Sequence, residues 1–188
     1  MYEKVKEAII RLQDAMKTEG VDSTKGLPEE LFIFSTTLVP IVNIDLFVIN
    51  EKGQLLLTWR DDIYHGKGWH IPGGCVRMRE RLETRVIKTA EKELGVPIDY
   101  NSDPIAVREI IEPEIRPGLS NQLERCHNVS FLYECAVKPG YIVPEVADGV
   151  KLRWFDSLPD DLLKVHIDLY GDIIENYFNR KLEEQEND

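Results

Sequence analysis

The sequence predicts an α+β or mixed α/β fold, one main domain with an added N-terminal helix. Three observations carry this prediction. Residues 39–49, VPIVNIDLFVI, form a nearly continuous apolar run rich in β-branched side chains, the pattern of a buried strand. Leu82, Val86, Ala90 and Leu94 recur at i+4 steps, which marks a helix with one core-facing stripe. Further strand patterns follow that helix, and a long apolar-periodic helix closes the chain.

Residues 2–18 place Val5, Ala8, Ile9, Leu12 and Met16 at helical spacing, and Glu19-Gly20 ends that helix. Residues 21–30 are polar, contain Gly26 and Pro28, and read as a linker ending in a short helical turn at Pro28-Glu29-Glu30. The first helix is thus an appendage whose apolar face needs cover from the main domain or from a second copy. A homodimer is expected. The expected units are 1–32, helix and linker; 33–182, the main domain; and 183–188, a disordered acidic tail.

After the strand at 39–49, Glu51-Lys52-Gly53 is a turn and residues 54–59 a second strand, read together as a hairpin. Residues 61–67 read as a polar loop, and residues 69–72 lead into Gly73-Gly74. Gly95 suits the helix end and Pro97 prevents continuation. Residues 105–111 read as a strand and 112–124 as a loop with Pro113, Pro117 and Gly118. Residues 127–137 form a long strand with Val129, Phe131, Tyr133 and Cys135 on one face. A loop at 144–149, a strand at 150–155 and a helix over 160–182 complete the chain.

The net charge is -11, from 23 basic and 34 acidic residues, which argues against a nucleic-acid partner. An anionic ligand then needs a metal and local basic groups to overcome the global field. No apolar run is long enough to span a membrane, and the N-terminus lacks the apolar core of a signal peptide. Three cysteines without metal-like spacing suggest reduced thiols in a cytoplasmic protein.

The chemistry concentrates between Trp69 and Val96, where a glycine loop feeds a charged helix. Such a loop lets backbone approach a phosphate closely. Glu80, Glu83, Glu91 and Glu93 supply carboxylates on or beside the helix. Glu93 lies one turn after Thr89, and Glu80 stands at the helix entry. Glu93, Glu80 and a glycine carbonyl make a sensible set for Mg²⁺. A solvated helix with ion pairs among Glu80, Lys88, Glu91 and Lys92 accounts for the same charges.

The order Gly74, five residues, Glu80, seven residues, then KTAEKELGV from Lys88 to Val96 resembles the Nudix box, G-x5-E-x7-R-E-U-x-E-E-x-G-U with U a bulky aliphatic. It matches at Gly74, Glu80, Glu93, Gly95 and Val96, and Gly68-Trp69 and Pro72-Gly73 are also usual there. The resemblance covers residues 39–160 and implies the Nudix α/β/α sandwich with Mg²⁺-dependent hydrolysis. Lys88 replaces the family arginine, Thr89 the first glutamate and Lys92 the first of the paired glutamates. This thinning implies one Mg²⁺, held by Glu93, Glu80 and the carbonyl of Gly73 or Gly74, or else an inactive ligand-binding domain.

One subgroup, GDP-mannose mannosyl hydrolase, is similar in this erosion and attacks the sugar carbon. That likeness points to Asp45 and Arg60 as functional, to His127 at the start of a later strand, and to Lys164-Val165-His166 in the last helix. Mg²⁺ and Arg60 would stabilise the leaving diphosphate, with Lys88 assisting. The subgroup's Gln-His pair before the final strand is Ala147-Asp148-Gly149 here, so Asp148 is the candidate ligand or base. Arg60, Trp69, Gly73 and Gly74 are the candidate substrate-binding residues, with Tyr64 or Trp69 available to stack on a base.

Other readings compete. Arg60 has Asp61 and Asp62 as neighbours, and a buried Asp45 needs a partner such as Arg60. His65 and His70 flank Trp69 as solvated loop residues or as a base. The expected function is Mg²⁺-dependent hydrolysis of a nucleoside diphosphate sugar. The alternatives are an ordinary Nudix pyrophosphatase and a non-catalytic ligand-binding domain.

Overall fold

The computed structural model describes residues 2–62, 65–111 and 127–186. Two helices, α1 (Glu3–Thr18) and α2 (Glu29–Thr36), precede the sheets. The strands are β1 (Ile41–Val48), β2 (Leu55–Asp62), β3 (Gly66–His70), β4 (Gly73–Cys75), β5 (Ile98–Tyr100), β6 (Ala106–Ile111), β7 (His127–Val137), β8 (Val146–Ala147) and β9 (Val150–Phe155). Helix α3 (Leu82–Thr89) follows β4 and continues as a π-helical turn, Ala90–Leu94, while α4 (Lys164–Glu186) ends the described chain.

The strands form two sheets. One runs β4-β1-β7-β5 with β6 also on β7, and the other runs β3-β2-β9-β8. β1 and β7 are parallel; β4 lies antiparallel on the outer edge of β1. The expected hairpin of the first two strands is therefore wrong in pairing. Only the bridge Ile49–Leu55 joins them, after which β1 and β2 enter different sheets. Asn50 builds the turn: its Oδ1 accepts from the N–H groups of Lys52 and Gln54. Residues 44–48 of β1 and 55–58 of β2 are buried on both faces, so these stretches lie inside the sandwich rather than half-exposed in a two-stranded ribbon.

Pleat alternation divides the core into two. Ile44, Leu46 and Val48 pack with Val86, Ala90 and Leu94 on the α3 side. Phe47, with Leu55, Leu57 and Leu132, packs against Tyr170, Ile174 and Phe178 of α4. Each fully buried aliphatic side chain contributes roughly 1.5–3 kcal/mol. The expected α3 stripe is present, with Val86, Ala90 and Leu94 buried and Leu82 packed partly against them. Phe131, Tyr133 and Cys135 share that side, as the strand pattern predicts.

Other expectations shift. The loop expected at 61–67 is largely strand, because β2 continues to Asp62 and β3 begins at Gly66. α2 reaches Thr36, well beyond the predicted turn, and crosses the boundary drawn at residue 32. α4 carries Glu183–Glu186 as helix, within the stretch where the sequence predicts a disordered acidic tail. The predicted loop at 112–124, Tyr64 and one of the three cysteines, Cys126, lie outside the described residues. No residue of α1 is buried. Among the described residues, no helix is long and apolar enough to cross a membrane.

Candidate functional site

β4 carries Gly73 and Gly74 to the edge of the larger sheet, and two cavities meet there. The larger, about 360 Å³, is lined by Arg60, Gly73, Gly74, Arg77, Arg85, Thr89, Lys92 and Glu93, with Leu27, Glu29 and Phe32 from the N-terminal segment. Four cationic side chains face two carboxylates there, an exception in a chain of net charge -11. Acidic partners stand beside Arg60 (Asp62, 3.3 Å), Arg85 (Glu80, 2.6 Å) and Lys92 (Glu93, 3.3 Å).

The smaller cavity, about 90 Å³, shares Arg60, Gly73 and Gly74 and adds Asn43, Asp45, His70, Asn128, Ser130 and His166. Its polar wall follows from the pleat. Asn43 and Asp45 are alternate residues of β1, and Asn128 and Ser130 are alternate residues of the neighbouring β7. All four project from the α4 side of the sheet, the face that also carries Phe47 and Leu132.

Asp45 is buried, and its Oδ2 accepts a 2.6 Å hydrogen bond from the hydroxyl of Tyr170 on α4. Burial raises its carboxyl to about 6, while the Tyr170 hydrogen bond, Ser130 and Arg60 oppose the rise. Ser130 stands near this carboxylate, but its buried hydroxyl meets no partner in hydrogen-bonding geometry among the described residues. His166 Nδ1 is also buried without a hydrogen-bond partner among the described residues. Burial keeps both His70 (about 3) and His166 neutral, with Arg60 adding to the effect. His70 is a core residue held by the Thr58 carbonyl at 2.8 Å, not a solvated loop histidine.

Gly73 is required where it stands. A Cβ on it would lie 2.1 Å from Asp45 Oδ1. Gly73 opposes Asp45 in the ladder, between the hydrogen-bonded pairs anchored by Leu46 N–H to Pro72 O and Val76 N–H to Val42 O. The antiparallel alternation therefore turns Gly73's own N–H and C=O away from β1, while Gly74 faces Ile44. Of the two glycine carbonyls expected to serve a metal, that of Gly73 is the better placed.

Glu80 does not join Glu93. Its carboxylate is 4% exposed; it accepts from Arg77 N–H at 2.9 Å and from Arg85 Nε at 2.8 Å, and Lys88 Nζ is 3.1 Å away. Burial pushes this carboxyl up, but the Arg77, Arg85 and Lys88 contacts outweigh it and hold it below the ordinary range. Glu80 thus fastens the loop to α3. Lys88 is half-exposed on that ion pair and lines neither cavity.

The other expected residues disperse. His127 lies on the opposite side of the pleat from Asn128 and Ser130 and pairs with Glu109 at 2.6 Å. Asp148, with φ 47, and Gly149, with φ 78, form the tight turn between β8 and β9, the usual position of an Asp-Gly pair. Asp148 lines neither cavity. Trp69 is buried between Trp59 and Phe155, so it supports the core rather than a ligand. Sequence reasoning missed Tyr170, Ser130, Arg77 and Arg85. The signal for the polar wall was present: Asn43 with Asp45, and Asn128 with Ser130, are polar pairs two apart in strand patterns.

The NUDIX domain family profile matches residues 39–168. The chain belongs to the Nudix family. A MutT NUDIX hydrolase from Burkholderia pseudomallei shares the Nudix fold with a TM-score of 0.51 and 24% identity, over 68% of this chain and 92% of that one. A NUDIX hydrolase from Nitrosomonas europaea aligns with a TM-score of 0.50 and 16% identity, over 79% and 73%. The low-salt glycan biosynthesis protein Agl8 of Haloferax volcanii is 33% identical over 79 residues, 42% of this chain and 50% of that protein. The chain thus spans half the length of that curated relative.

Nudix hydrolases typically use Mg²⁺. Among the described residues, no group of three or more His, Cys, Asp or Glu could hold a metal alone. The donors fit a lesser site. Glu93 and Thr89 line the same cavity wall as Gly73, and the Thr89 hydroxyl is buried without a partner among the described residues. These are hard oxygens, suited to a Mg²⁺ that takes its remaining ligands from water and substrate phosphates.

Proposed function

We propose that this Nudix domain hydrolyses a nucleoside diphosphate sugar with Mg²⁺. The diphosphate lies along Arg60, Arg77, Arg85 and Lys92, and the sugar enters the polar cavity beside Asp45. The observation that carries this reading is the junction of the two cavities at Arg60, Gly73 and Gly74. A cation-lined space beside a wall of Asn43, Asp45, Asn128 and Ser130 suits a diphosphate joined to a hydroxylated group. The name of the relative Agl8, a glycan biosynthesis protein, agrees with a sugar substrate.

Asp45, ionised above about pH 6, accepts the proton of the attacking water, while Tyr170 holds its other oxygen in place. The water oxygen bonds to the sugar carbon as the bond from that carbon to the diphosphate breaks, and Arg60 stabilises the charge that departs. Glu93, Thr89 and the Gly73 carbonyl would hold Mg²⁺, which when bound neutralises phosphate charge.

Incubation with a nucleotide-sugar panel that includes GDP-mannose, with Mg²⁺, is expected to yield free sugar and nucleoside diphosphate. Sugar phosphate and nucleoside monophosphate as products would instead show attack at phosphorus and an ordinary pyrophosphatase. Glu93→Gln removes a carboxylate that would hold the metal directly, so it is expected to lower turnover by more than the roughly 10–100-fold typical of outer-shell partners, without altering the fold. Wild-type protein that binds nucleotide sugars but turns none over would identify a non-catalytic ligand-binding domain.

A further inference from the structure

A third cavity, about 410 Å³, lies between the N-terminal segment and the start of the larger sheet. Its volume is within the range of about 300–1,000 Å³ common to small-molecule sites. Its wall is mostly apolar and includes Leu27, Phe32, Val39, Val42, Val76 and Met78. It shares Leu27, Phe32, Cys75 and Arg77 with the cation-lined cavity, so the two adjoin. Arg77 also lies against the N-terminal segment: a Cβ on Gly26 would be 3.3 Å from its Cζ. Leu27, Phe32 and the rest of α2 precede residue 39, where the family match begins. This chain's own N-terminal addition therefore supplies one wall of the site.

We infer that the groove under α2 seats the nucleobase of the ligand whose diphosphate lies on Arg60, Arg77, Arg85 and Lys92. This rests on the proposed function. Three chemistries meet around β4: an apolar groove, a cationic cavity and a polar pocket. They match the three parts of a nucleoside diphosphate sugar, with the diphosphate in common contact. Phe32 and the Arg77 guanidinium offer flat surfaces to a planar base, a contact that tolerates any base because every base has a π-face. The linker and α2, which the sequence presents as a linker ending in a short helical turn, thereby become a determinant of ligand choice.

Calorimetric binding of GDP, UDP and inorganic pyrophosphate in Mg²⁺ buffer tests this. GDP and UDP are expected to bind at least about tenfold tighter than pyrophosphate, the scale of one stacked base. Phe32→Ala should remove most of that advantage. Val39→Trp fills the same groove from a position that is 61% exposed, so it spares the core, and it should have the same effect. If pyrophosphate binds and the nucleotides bind no tighter, or if both variants keep the nucleotide advantage, the base seat is wrong while the diphosphate site stands. If neither pyrophosphate nor nucleotide binds, the proposed function falls with it.

Discussion

Asp45 is a carboxylate held in an unfavourable place. Its pKa rises from 3.8 to about 6 on folding, chiefly through burial. The folded chain then holds a proton that the unfolded chain releases between those values. Stability contributed by that proton is full below pH 3.8 and is lost as pH rises through 6. The shift corresponds to about 3 kcal/mol, an order-of-magnitude figure. Asp45→Asn should therefore be more stable than wild type at pH 8, with the difference narrowing toward pH 4, as denaturant titration at both pH values will show. The same substitution should abolish turnover, and wild-type activity should fall as pH drops through about 6. Gly73→Ala places a methyl on the Asp45 carboxylate, so it should cost about 1–3 kcal/mol in thermal denaturation and disable the site.

At the scale of elements, α3 and its loop show which charges are structural. Glu80 and Arg85 form a buried pair, and Glu80→Gln leaves the Arg85 guanidinium, 11% exposed, without its charge partner. A loss of about 3–5 kcal/mol is expected. Lys88, at 53% exposure, contributes far less, and Lys88→Ala should change stability by under about 1 kcal/mol. Thermal melts of the two variants separate these roles. The i+4 stripe made α3 legible in the sequence, because helical periodicity is local. The pairing of β1 was not legible. A continuous apolar run says that a strand is buried, not which neighbour buries it, and β1 pairs with β7, more than eighty residues away, rather than with β2. The Asp148-Gly149 pair has the residue types of a tight turn, and it forms the turn between β8 and β9.

At the scale of the whole molecule, the sequence located the glycine loop and Glu93 but not the partition into cavities. That partition depends on contacts such as Asp45 with Tyr170, which are far apart in the chain and carry no local pattern. α1 leaves Val5, Ile9 and Leu12 exposed, and this apolar stripe motivates the homodimer expectation. Light scattering at micromolar concentration should report two chains, and removal of residues 1–20 should give a folded monomer. A monomeric full-length chain would dismiss the dimer. β4 itself has a further consequence. It is a three-residue edge strand, too short to template a foreign strand, and Gly73's peptide groups point outward from it. A bound diphosphate would then stand where the next strand of the sheet would lie. Hydrogen exchange at the Gly73 amide should slow on ligand binding, making this one peptide a reporter of occupancy even when no reaction follows.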